Sequence, residues 1–101
     1  MVKAFLLVLA LKTAVLSSYD VQEYFDGKRF LLFTVTYSET LSVAHYADFE
    51  IVLSTPSGYL TSHYVIISPV GTNGTTTTYR PIQTAYSLIS STLVSSGEYY
   101  Q

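Results

Sequence analysis

Two histidines and two carboxylates stand close enough in this chain to suggest a chemical centre: His45, Asp48, Glu50 and His63. Imidazole and carboxylate groups can bind a divalent metal or move a proton, provided several of them converge on one point. Their spacing decides whether they do. Ala47, Phe49, Ile51 and Leu53 alternate with Asp48, Glu50, Val52 and Ser54, the period-2 pattern of a strand with one wet face. Thr55-Pro56-Ser57-Gly58 supplies a turn, since Pro presets φ and Gly admits φ > 0, and Tyr59–Ser68 returns as the partner strand. Pairing Leu53 with Tyr59 sets Phe49 against His63, Glu50 against Ser62 and Asp48 against Tyr64. In that register the two carboxylates occupy the face opposite His63, and His45 falls beyond the ladder, near Ile67. Both histidines then read as structural, and Asp48 and Glu50 as charges that discourage edge-to-edge strand pairing.

Other chemistry is no better supplied. There are no cysteines, which removes disulfides and thiolate metal sites. The remaining nucleophiles are Ser and Thr hydroxyls, and each needs a base within hydrogen-bond reach. Gly71-Thr72-Asn73-Gly74 lacks the Lys and the helix start that make a phosphate-binding loop work. Asn73-Gly74-Thr75 matches an N-glycosylation acceptor and reads first as a polar turn. The expectation is a non-enzymatic protein without metal or cofactor.

The elements that position these residues follow from hydrophobic periodicity. Ala4–Leu11 is a run of eight apolar residues between Lys3 and Lys12. A membrane span needs about 20 such residues, so no span is expected. Lys3, Leu6, Ala10, Thr13 and Ser17 trace the less apolar stripe of a 3.6-residue repeat, so residues 1–17 are predicted as a helix. A cleaved signal peptide is the alternative, with Lys3 as basic region, Ala4–Leu11 as apolar region and Val15-Leu16-Ser17 as cleavage site.

Residues 19–37 read as a hairpin about Asp26-Gly27, the preferred pair for a two-residue type I′ turn. The run from Phe30 to Phe33 is apolar on both faces, as in a central strand covered by helices. Residues 47–68 form the second hairpin, and residues 69–80 a Gly/Thr loop. Pro81 suits the first position of a helix, and Ile82, Ala85, Tyr86, Ile89 and Leu93 recur at three- and four-residue steps, so residues 81–95 are predicted as a helix and 96–101 as a tail. The summed pattern is one α+β domain over residues 1–101: a four-stranded antiparallel sheet with N- and C-terminal helices packed on one face. A small all-β sandwich or barrel is the alternative.

Composition narrows the function. At 101 residues and 49% hydrophobic content the chain can bury a core. Charged residues make up only 12%, about half the ~25% of soluble domains. In their place stand 13 Ser, 13 Thr and 10 Tyr. The five basic residues, Lys3, Lys12, Lys28, Arg29 and Arg80, form no cluster in the sequence, which disfavours binding to a nucleic-acid backbone. Tyr is enriched at protein interfaces, and freely diffusing proteins ordinarily carry more charge. A self-assembling structural subunit is therefore expected, most simply a virion component (capsid, neck or tail) whose partners are copies of itself and other structural proteins. Its contacts are assigned to Tyr37, Tyr59, Tyr64, Thr75, Thr76, Thr77, Thr78, Tyr79, Tyr99 and Tyr100. With Phe25-Asp26-Gly27-Lys28 at its first turn, the predicted element order is similar to small tail-terminator or tail-completion proteins of tailed phages, which implies a neck or tail role. Two alternatives remain: a secreted or cell-surface binding module lacking residues 1–17, and a small ligand-binding or enzymatic domain using His45, Asp48 and His63.

Overall fold

Strict alternation builds the centre of this protein. A computed structural model describes residues 14–100, which form six strands: β1 (Leu16–Phe25), β2 (Arg29–Tyr37), β3 (His45–Thr55), β4 (Gly58–Ser68), β5 (Thr75–Ile82) and β6 (Ser87–Glu98). They pair into two three-stranded antiparallel sheets, β1-β2-β5 and β4-β3-β6. The two central strands supply most of the core. Leu31, Phe33, Val35 and Tyr37 on β2 meet Ala47, Phe49, Ile51 and Leu53 on β3, because side chains two apart share a face. Phe33 anchors the contact, its ring 5.3 Å from that of Phe49 and 5.6 Å from that of Tyr64.

This all-β sandwich overturns the α+β expectation and agrees with the alternative architecture. The predicted 1–17 helix lies largely outside the described residues, but Leu16 and Ser17 already belong to β1. Removing residues 1–17 would take Leu16, the partner of Tyr37, out of its sheet. The two hairpins do not join into one four-stranded sheet. Each sits in its own sheet and gains a third strand from the C-terminal part, β5 beside β2 and β6 beside β3.

The predicted 81–95 helix is replaced by the end of β5, a turn closed by the Tyr86 N–H donating to the Gln83 carbonyl, and β6. The reason lies in two β-bulges. The β3–β6 register shifts between Val52 and Leu53 and again between Asp48 and Phe49, which leaves Ile89 and Val94 as extra residues. The β6 partners of the inward β3 residues are therefore Leu88, Ser91, Leu93, Ser96 and Glu98. Steps of three and two in place of a steady two blur the strand signal and imitate a helical period. The predicted 69–80 loop is likewise shortened, since Thr75 to Arg80 lie in β5. With the closing helix gone, the element order that resembled phage tail proteins no longer holds.

Helices are not what shelters Phe30 and Leu32. These residues point to the outer side of β2, where Leu32 stands between Gln22 and Tyr79 in the ladder and the Tyr79 ring packs against Phe30. Tyr79 lies 6.2 Å from Phe30 and 5.8 Å from Tyr24, edge to face in both cases. Both hairpin turns also differ from expectation. Phe25 pairs with Arg29, so Asp26-Gly27-Lys28 is a three-residue loop in which only Gly27 takes positive φ, at 73°. In the second hairpin Leu53 pairs with Leu60 and Thr55 with Gly58, one residue away from the register read in the sequence.

The sandwich is tied together along its flanks. Glu23 on β1 accepts the Leu88 N–H of β6 at 2.6 Å and the Arg29 guanidinium at 2.5 Å, while Arg29 also donates to the Thr84 carbonyl at 3.0 Å. On the other flank Arg80 of β5 donates to the Val65 carbonyl of β4 at 2.8 Å and lies over the Tyr64 ring. At one end the β2–β3 connection buries Leu41, whose N–H and carbonyl bond to Thr72 and Gly71.

Candidate functional site

A one-residue change of register moves every side chain of a strand to the other face, and it reverses the reading of the carboxylates. Glu50 pairs with His63 in the observed ladder. His63, Asp48 and Glu50 therefore share the outer face of the β4-β3-β6 sheet. His63 Nδ1 lies 3.1 Å from Asp48 Oδ1, and His63 Nε2 lies 3.9 Å from Glu50 Oε2. The two carboxylates address opposite nitrogens of one half-exposed ring, so the group is a strut across the strands and not a set of ligands aimed at one point. Among the described residues no group of three or more His, Asp or Glu side chains is arranged to hold a metal ion. Nor are Asp48 and Glu50 edge charges, because β3 is the central strand of its sheet.

His45 faces inward, on the opposite side from His63. It is buried, its Nδ1 lies 2.9 Å from the Val43 carbonyl, and its ring meets Tyr37 edge-on at 5.3 Å. Ser68 is its partner on β4. The Ser68 and Tyr37 hydroxyls are buried and neither has a hydrogen-bond partner of good geometry. Burial pushes the Tyr37 phenol pKa above its ordinary value, and the nearby Ser68 hydroxyl opposes that rise. His45 bonds to backbone and not to Ser68, so these side chains do not form a base–nucleophile pair. A cavity of about 370 Å³ adjoins them, bordered by Leu16, Tyr37, His45, Leu93, Ser96 and Glu98. The inward position of His45 was legible from its parity with Ala47 and Phe49; its pairing with Ser68 depended on register and was not.

The feature that sets this surface apart is the outer face of the β1-β2-β5 sheet. The ladders place Ser18, Asp20, Gln22 and Tyr24 of β1 beside Phe30, Leu32, Thr34 and Thr36 of β2, and these beside Thr75, Thr77, Tyr79 and Pro81 of β5. Among these twelve described positions Asp20 is the one ionisable acid or base apart from the phenols. Tyr24 and Tyr79 are 44% and 53% exposed, and the Thr36 and Thr75 hydroxyls bond each other at 2.8 Å. The face is thus an aromatic patch at one end running into a threonine lattice at the other.

The residues expected at contacts divide between surface and core. Thr75, Thr77 and Tyr79 lie on this outer face, and Thr76 and Thr78 point inward, opposite Val35 and Phe33. Tyr59 stands 79% exposed beside the second turn. Tyr99 and Tyr100 are exposed near the end of the chain, where the Tyr100 hydroxyl donates to Glu98. Tyr64 packs inward against Phe33, and Tyr37 is buried, so those two serve the core. Sequence reasoning passed over Tyr24, Phe30 and Leu32, although hairpin parity alone places Tyr24 and Phe30 on one face. Among the described residues no helix is long and apolar enough to cross a membrane. Comparison of the chain with family models, curated proteins and solved structures finds no match.

Proposed function

We propose that this chain is a structural subunit that assembles with copies of itself, as a shell, neck or tail component of a virion does. The observation that supports this reading best is the outer face of the β1-β2-β5 sheet. A twelve-position surface of Tyr, Phe, Leu, Pro, Thr, Ser and Gln with Asp20 as its single ion has little to keep neighbours apart. Aromatic rings with polar tips contribute contact area at low entropic cost and are enriched where proteins meet. The small number of charges in the whole chain fits a molecule whose faces are covered in its working state.

Light scattering across a concentration series tests the proposal. Apparent mass should rise above the 11.2 kDa of one chain as concentration increases. The double variant Tyr24→Lys/Tyr79→Lys, at two exposed positions, should stay monomeric with its β-sheet circular dichroism intact. A wild-type chain that remains solitary at the highest soluble concentration would falsify the proposal.

A further inference from the structure

Sheet edges invite strand addition unless something blunts them, and among the described residues three of the four edges are blunted. β1 carries a register shift between Leu16 and Ser18 and presents Asp20 and Glu23. β5 has eight residues and loses one N–H to Pro81. β6 has two bulges, and its Leu88 N–H is taken by Glu23. β4 has neither bulge nor proline, and the side chain that ties its outward backbone among the described residues is Arg80, on the Val65 carbonyl. The eleven residues of β4, GYLTSHYVIIS, carry no acidic or cationic side chain other than His63.

β4 also exposes apolar surface: Tyr59, Leu60, Val65 and Ile67 are 79%, 41%, 43% and 39% exposed. Arg80 reaches the Val65 carbonyl from the β5 side, so that carbonyl points away from β3. Alternation along an antiparallel strand turns the backbone N–H and C=O groups of Thr61, His63 and Ile67 the same way. A carbonyl has two lone pairs, so Val65 can keep Arg80 and still accept from another strand.

We propose that β4 pairs antiparallel with β4 of a second copy, centred on His63, fusing two three-stranded sheets into one sheet of six strands. This rests on the self-assembly reading and names the edge that performs it. The strand is complementary to itself in that register. Tyr59 falls opposite the partner's Ile67, Leu60 opposite the partner's Ile66, and Thr61 opposite the partner's Val65. Aromatic–aliphatic and Thr–β-branched pairs are favourable cross-strand neighbours. No fixed charge meets its like, and each His63 is already bracketed by Asp48 and Glu50 of its own subunit. Two-fold symmetry closes the contact, as an isologous interface requires.

Because the chain has no cysteine of its own, single cysteines report the register. Under mild oxidation H63C should form a disulfide-linked dimer, since its mate lies directly across at a spacing a disulfide can bridge. T61C should not, because it faces the partner's Val65. Separately, V65K/I67K, at two exposed edge positions, should lower the assembled mass in light scattering while circular dichroism stays unchanged. Equal cross-linking of T61C and H63C, or an unaltered mass in V65K/I67K, overturns the inference. If Y24K/Y79K disperses the assembly and V65K/I67K does not, the edge pairing is wrong and assembly through the sheet face stands. A wild-type chain that is solitary throughout removes both.

Discussion

Tyr37 shows how one hydroxyl can work against the fold that holds it. Its ring belongs to the core, yet its oxygen is buried without a bond of good geometry. Leaving a buried polar group unpaired costs free energy that an apolar substitute avoids. Tyr37→Phe should therefore raise stability by about 1 kcal/mol in chemical denaturation. The same site sets an alkaline limit. Burial raises the phenol pKa above the ordinary 10.0, so the folded state holds the proton more tightly than the unfolded chain does. The corresponding stability is complete below pH 10 and is lost as pH rises through the folded value. Denaturation midpoints measured across that range should fall in the wild type, and the variant should lack this residue's share of the decline. At Phe33, which is fully buried, truncation to Ala should cost about 3–5 kcal/mol because the opposing ring of Phe49 loses its neighbour.

Elements here are held in place by a few ties between strands that are distant in sequence. Glu23 serves two donors at once, the Arg29 guanidinium and the Leu88 N–H. Glu23→Ala leaves the Leu88 N–H without this acceptor and Arg29 with its bond to the Thr84 carbonyl, and should destabilise the protein by about 1–2 kcal/mol. Asp20→Ala on the same strand, whose carboxylate among the described residues accepts from the Gln22 amide, should stay within about 0.5 kcal/mol of wild type. Thermal unfolding of the two variants side by side checks the contrast. How far each element could be read in advance follows from its regularity. β3 alternates without interruption and was legible; β2 less so, since an apolar outer face imitated cover by helices. β6 was not legible, because Ile89 and Val94 are inserted at bulges and break the period that identifies a strand.

Across the whole molecule, the proposed assembly rests on a chain with only 12% charged residues. Association driven by rings, methyls and backbone edges contains little Coulomb energy for salt to screen. Apparent mass in light scattering should accordingly hold or increase when sodium chloride is raised, whereas a charge-driven assembly would come apart. Warming from the cold should also favour assembly, since apolar burial weakens on cooling.

The amino-acid sequence by itself determined several things about this protein. The shortage of ions, the abundance of hydroxyls, the lack of thiols and the two hairpins at the centre of the chain are local facts, set by residue type and by neighbours a few positions apart. Only the tertiary structure decided that the hairpins separate into two sheets, that the C-terminal third supplies a strand to each, and that His63 stands on the same face as Asp48 and Glu50. Those outcomes depend on register and on pairing between residues as distant as Glu23 and Leu88. A one-residue shift costs almost nothing in local propensity, yet it reverses both faces of a strand, so only the packing of Phe33 against Phe49 and its neighbours can choose between the two arrangements.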